Sequence, residues 1–118
     1  MKSFVFDIDG TLCTKTDGDY TKAKPYERRI KTINRLYDEG NTIILLTARG
    51  MGRHKNDSKK AEAEFYDLTV KQLSQWGVKY HRLFMGKPSG DIYIDDKGCN
   101  DQEWFNDNPR VEETDGSN

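Results

Sequence analysis

The sequence is short of the features that would mark a secreted, membrane-bound or polyanion-binding protein. Only two cysteines occur in 118 residues, Cys13 and Cys99. They form neither a C-x-x-C motif nor a dense disulfide framework, and with no signal peptide they read as reduced thiols in cytoplasm. The longest apolar run, Ile43 to Leu46, is far too short to span a bilayer. Neither sign of charge dominates: nineteen basic against twenty acidic residues give a net charge of −1, which argues against a dedicated polyanion binder and leaves room only for local basic patches. Repeats and low-complexity tracts are missing too. With 34% apolar and 33% charged residues, the chain has enough for one small, heavily solvated domain and little for a second core. That domain is expected over residues 1–108, with residues 109–118 an acidic, frayed tail.

What is present starts at once. In Ser3-Phe4-Val5-Phe6-Asp7-Ile8-Asp9-Gly10-Thr11 an apolar run stops at two acids one residue apart. Such a run reads as a buried parallel strand that delivers side chains to the carboxyl edge of a sheet, where open α/β sheets bind ligands. Period-two alternation puts Asp7 and Asp9 on one side, an unfavourable pairing unless a cation or a shared proton lies between them. A simple capped turn competes with this reading. A calcium loop does not, because counting from Asp7 the sixth position is Leu12 and the twelfth is Gly18.

The rest of the chain repeats the device. A polar loop or small hairpin over Cys13–Tyr20 leads to Pro25 and an amphipathic helix carrying Tyr26, Ile30, Ile33 and Tyr37, stopped by Gly40. Its basic residues Arg28, Arg29, Lys31 and Arg35 read as a solvated face. Thr42 to Leu46 is a second strand, parallel to the first through a right-handed crossover, and delivers Thr47 to the same edge. A mobile surface loop from Gly50 to Ser58, with His54 exposed on it, precedes a long helix capped by Asp57 or Ser58. That helix runs to about Trp76 on Ala61, Phe65, Leu68, Leu73 and Trp76, at imperfect spacing. Val78–Phe84 is expected as a third strand leading to Lys87, Ile92–Ile94 as a fourth ending in Asp95-Asp96, and Asp101–Asn106 as a short helix.

Four strand ends thus present Asp7 with Asp9, Thr47, Lys87, and Asp95 with Asp96. In this order and setting the chain resembles the haloacid dehalogenase superfamily, whose motifs are a strand then D-x-D-G-T, a strand then Thr or Ser, a Lys, and a strand then D-D. The resemblance implies an α/β fold, a Rossmann-like three-layer sandwich with a mostly parallel sheet. It also implies a capless core, since neither interval between motifs has room for an inserted cap.

The implied activity is Mg²⁺-dependent phosphomonoester hydrolysis through an aspartyl phosphate. Asp7 would be the nucleophile and Asp9 the general acid and later base. Asp7, the carbonyl of Asp9, and Asp95 would hold the metal. Thr47, the backbone of Ala48, and Lys87 would bind phosphate; Asp96 would orient Lys87 or a metal water, and Arg49 would either support the site from behind its ligands or reach a substrate phosphate or sugar hydroxyl. The Asp9-Gly10-Thr11 continuation matches the phosphatases, not the dehalogenases or transport ATPases. The small enzymes of capsular and surface polysaccharide synthesis look most similar, which implies a small phosphorylated carbohydrate substrate, a sugar phosphate or a sugar-nucleotide intermediate. An open site would need a large substrate or a second copy of the chain to cover it. The alternatives are a nucleic-acid 3′-phosphatase and, outside enzymes, a non-catalytic phosphate-binding module.

Overall fold

The computed structural model describes residues 1–108; the expected acidic tail lies outside the described residues. Three strands, β1 (Ser3–Phe6), β2 (Thr42–Thr47) and β3 (Arg82–Met85), form a parallel sheet in the order β1-β2-β3. Helix α1 (Glu27–Asp38) connects the first pair and α2 (Ser58–Gln75) the second, and α3 (Asp101–Asp107) follows. Phe4 pairs with Ile43, Phe6 with Leu45, and Leu45 with Leu83. That register puts Phe6, Ile43 and Leu45 on one face, where they form the core with Ile30, Ile33 and Leu36 of α1 and Leu73 of α2. Both helices therefore lie on this same face, as two crossovers of the usual right hand between strands taken in sequence order require. The opposite face carries Val5 and Phe84, both exposed. The result is the expected α/β, Rossmann-like architecture.

Local chemistry explains the element ends. Asp57 caps α2 by accepting from the Lys59 and Lys60 amides, and Asn100 caps α3 in the same way through Gln102 and Glu103. The loop between Gly50 and Ser58 is wound into successive turns: the Met51 amide donates to Ala48, His54 to Gly50, and Asn56 to Met51. Lys55 and Asn56 take positive φ to close it. Asn56 then accepts from the Ser89 amide at 2.9 Å, tying this turn to the loop that carries Lys87. The third strand is shorter than predicted, because from Val78 to His81 the chain only approaches β2, with the His81 ring nitrogen Nδ1 accepting from the Ile43 amide.

The fourth strand is the main departure. Ile92–Ile94 lies in no regular element and pairs with no strand among the described residues, with Ile92 79% and Ile94 95% exposed. The four residues between Pro88-Ser89-Gly90 and Asp95-Asp96-Lys97-Gly98 offer little backbone to pair. Tyr93 turns back into its own loop, donating to the Pro88 carbonyl at 2.6 Å and accepting from the Gly90 amide at 3.0 Å.

Candidate active site

The turn after β1 is built on backbone bonds. The Thr11 and Leu12 amides both donate to the Ile8 carbonyl, and the Gly10 amide donates to Cys13. Gly10 has φ +85°, a backbone conformation that calls for glycine, and the Lys15 side chain lies across it. This turn presents Asp7 and Asp9 beyond the end of the strand, at the carboxyl edge of the sheet.

Asp7 stands 3.7 Å from the Lys87 ammonium and accepts a long bond from the Thr11 hydroxyl at 3.4 Å. Burial raises its pKa above the ordinary carboxylate value; Lys87 and the Ile8 amide oppose that shift, and the Asp9 charge adds to it. Lys87 reaches Asp7 because its own amide donates to the Thr47 carbonyl at 3.1 Å, continuing the sheet contact past β3. Its ammonium also lies 4.4 Å from the centre of the Tyr93 ring. The opening motif and the lysine, eighty residues apart by number, therefore meet.

Asp9 is held from below. Arg49 Nε donates to Oδ2 at 2.9 Å and Nη2 to Oδ1 at 3.0 Å, a two-pronged clamp. The Arg49 side chain is fully buried and already bonded; of the two places the sequence left open for it, behind the site or on the substrate, it takes the one behind Asp9. Thr47 is buried as well, and its hydroxyl accepts from the Arg49 amide at 3.1 Å, fixing the turn after β2. A hydroxyl that accepts one bond still has its own proton to donate. Ala48 lies in that turn, its carbonyl accepting from Met51. Cys13 Sγ lies 3.5 Å from Asp9 Oδ1, and burial with the neighbouring Asp9 pushes its thiol up to about 12, so it is a packed, protonated group.

Asp95 and Asp96 are exposed, on the segment outside the sheet. Asp95 accepts from the Lys97 amide at 2.9 Å, closing a local turn, and that bond lowers its pKa. Among the described residues no three His, Cys, Asp or Glu side chains gather to hold a metal. The oxygen donors of Asp7 and Asp9 suit magnesium, which prefers hard ligands and keeps its waters. A third carboxylate is not brought to them.

Several contributing residues carry no signal in the motifs. Thr69 and Gln72 of α2 reach Arg49, and Tyr20 covers it. The imperfect spacing of α2 was the trace of the first two: its buried face is Ala61, Phe65, Thr69, Gln72 and Leu73, with polar residues at two core positions. Arg29, expected in solvent, donates to the Thr11 carbonyl at 3.1 Å and to Asp101 at 2.8 Å, and so braces the turn after β1 against α3. His54 sits 2.6 Å from Glu64. Together with Arg53 it holds the Glu64 carboxyl below its ordinary value.

No family model and no curated protein matches the chain. Among solved structures it is similar to a structural-genomics target from Vibrio cholerae, with a TM-score of 0.82 and 26% identity over 98% of this chain and 95% of that one. It also resembles D,D-heptose 1,7-bisphosphate phosphatase from B. bronchiseptica, crystallised with magnesium and phosphate, at a TM-score of 0.52 and 25% identity, covering 84% of this chain and 54% of that one. A chain of the Pnkp1/Rnl/Hen1 complex matches in fold, with a TM-score of 0.56 and 18% identity over 94% of this chain and 36% of that one. The fold is haloacid-dehalogenase-like.

Proposed function

We propose that this protein is a phosphomonoesterase that uses Asp7 as nucleophile and magnesium as cofactor. The observation that supports the reading best is the meeting of Asp7 with Lys87 beside a clamped Asp9 at the carboxyl edge of the sheet. A phosphate monoester dianion repels an anionic nucleophile, so attack by a carboxylate needs cationic groups fixed in advance. Lys87 is one. Magnesium, when bound, supplies the rest of that positive charge, with Asp7, the Asp9 carbonyl and Asp95 as the residues that would hold it.

The steps follow from the chain's own groups. Asp7 attacks phosphorus as the bond to the leaving oxygen breaks, and Asp9 gives that oxygen its proton. Asp9 then takes a proton from the water that attacks the aspartyl phosphate, releasing inorganic phosphate and restoring Asp7. Thr47 and the Ala48 amide would hold the equatorial oxygens, and Lys87 would balance charge between Asp7 and phosphate. Asp96 would orient Lys87 or a metal-bound water once the Asp95-Asp96 segment is in place. A small phosphorylated carbohydrate is the substrate class we favour, on the likeness to the heptose bisphosphate phosphatase.

The test is phosphate release from a panel of hexose and heptose phosphates, nucleotides and a 3′-phosphorylated oligonucleotide, each with magnesium and with chelator. Chelator-sensitive release led by the sugar phosphates is the expected result. A lead by the oligonucleotide would move the substrate to nucleic acid. No release from any ester, with phosphate still bound, would leave a binding module and end the enzymatic reading.

A further inference from the structure

We propose that Arg49 is a positioning residue for Asp9, which fixes the direction of that carboxylate and does not contact substrate. The proposal rests on the reading of Asp9 as the proton-transfer group. Its basis is how completely Arg49 is used. Nε and Nη2 hold the two oxygens of Asp9; Nη1 donates to Thr69 Oγ1 at 3.2 Å and to Gln72 Oε1 at 2.6 Å. The Tyr20 ring lies 4.8 Å from the guanidinium carbon, and Gln72 is itself fixed by donating to the Tyr20 carbonyl at 2.6 Å. The Tyr20 hydroxyl accepts from the Gly50 amide at 2.9 Å, which pins the loop after β1 to the turn after β2. Arg49 has no exposed surface, whereas the Asp9 side chain keeps 21% of its own. A substrate therefore meets Asp9 and not the arginine behind it.

A guanidinium fork matches both oxygens of a carboxylate and so sets its plane, which a point-charge ammonium does not. A proton-transfer group works only when its oxygen lies within hydrogen-bond reach of the reacting atom. Each carboxylate oxygen has two lone-pair sites; the fork occupies one on each and the Cys13 thiol donates to Oδ1 at 3.5 Å, which leaves the second site of Oδ2 for the substrate. Asp9 sits on a loop, but through Arg49 its carboxylate is referred to Thr69 and Gln72 on the long helix α2. Buried polar groups satisfied on every side are held in one arrangement.

The test uses leaving groups that differ in their need for a proton. An alkoxide needs protonation as it departs; 4-nitrophenolate leaves without it. The quantity read is kcat/KM, which ends at release of the leaving group and excludes the later hydrolysis of the aspartyl phosphate. In Arg49→Lys we expect kcat/KM to fall ~10²-fold for the sugar phosphate turned over fastest, and less than about tenfold for 4-nitrophenyl phosphate. Gln72→Met, which loosens Arg49 without touching Asp9, gives the same preference at smaller size and carries the test should Arg49→Lys not fold. Added to Asp9→Asn, Arg49→Lys costs no more than about twofold further. Equal losses on the two esters, no loss, or a full additional loss in the Asp9→Asn background would overturn the proposal. An Asp9→Asn enzyme that slows both esters alike instead removes the acid role from Asp9, and the proposal with it.

Discussion

The two halves of the site are built very differently. On the side of β1 and β2, Asp9 is clamped by a buried arginine, Thr47 is bonded into its turn, and Gly10 and Gly50 let backbone and side chains approach closely. On the side of the segment after β3, Asp95 and Asp96 stand in solvent and make only local turns. Between them is Lys87, bonded through its backbone to β2 and through its ring contact to the loose segment. The contrast teaches where preorganisation resides: the groups that would do covalent and proton chemistry are set by the folded core. The third carboxylate of the proposed metal site, Asp95, lies on a segment with no core of its own.

The largest expected effect falls on the built half. Asp7→Asn should lower turnover on the order of 10⁴-fold or more, as loss of a nucleophile does elsewhere, while the chain stays folded. The same variant sharpens the electrostatic part. Because burial raises the Asp7 pKa in the folded state, the folded chain favours the protonated form. The associated stability is present below the unfolded carboxylate pKa and is lost as pH rises through the raised folded value. Asp7→Asn should therefore have the higher melting temperature at neutral pH, with the difference closing as pH falls into the carboxylate range. A melting temperature below wild type at neutral pH would mean that the Lys87 contact outweighs burial.

Asp95→Asn separates the halves directly. If the loose segment joins the site when metal and substrate bind, activity should fall ~10²-fold, at the upper end of what a residue supporting a metal centre contributes. Stability without metal should move by no more than about 0.5 kcal/mol, because an exposed local turn carries little. The readouts are kcat/KM at several magnesium concentrations and thermal unfolding with chelator. An unchanged rate would take Asp95 out of the ligand set and leave magnesium to Asp7, the Asp9 carbonyl, phosphate and water.

The same contrast decides how much could be read from sequence. Apolar runs with abrupt polar ends marked β1 and β2, and Asp57 and Gly77 bracketed α2, since those signals arise within a few neighbouring residues. Asp7 and Lys87 could be assigned to one edge from the repetition of strand and crossover. The Arg49 clamp was not legible, because a buried arginine depends on partners at positions 9, 69 and 72, and a polar residue on a helix reads by default as solvated. Arg29 fails the same way: its partners, the Thr11 carbonyl and Asp101, come from opposite ends of the chain. Ile92–Ile94 was overread in the other direction. Its pattern suits a strand, but Tyr93 finds local partners, and β1 offers its free edge with no neighbour to hold the segment there.

Gly50→Ala probes the packing under the built half. Gly50 has φ +78°, and a Cβ at that position would lie 2.6 Å from the Phe65 ring and 3.1 Å from Ala61. Positive φ and a core clash together should destabilise by ~2 to 3 kcal/mol. For a domain of this size that corresponds to a fall of roughly 10 °C in melting temperature. Gly77→Ala shares the positive φ but meets nothing within 4 Å, so the difference between the two variants isolates the contribution of packing against α2.

The smallest effect is the one that tests the boundary. Tyr93 is the only aromatic ring placed over Lys87 among the described residues, and it is half exposed. An ammonium over an exposed ring contributes about 0.5 to 1 kcal/mol. Tyr93→Leu should therefore reduce kcat/KM less than about fivefold, because Lys87 keeps its backbone bond to Thr47 and its partner Asp7. A loss nearer a hundredfold would mean that Lys87 takes its position from the segment after β3 and not from the sheet. The line between the built and the loose half would then run between Lys87 and Asp7, and the cation facing the nucleophile would be set only when that segment orders.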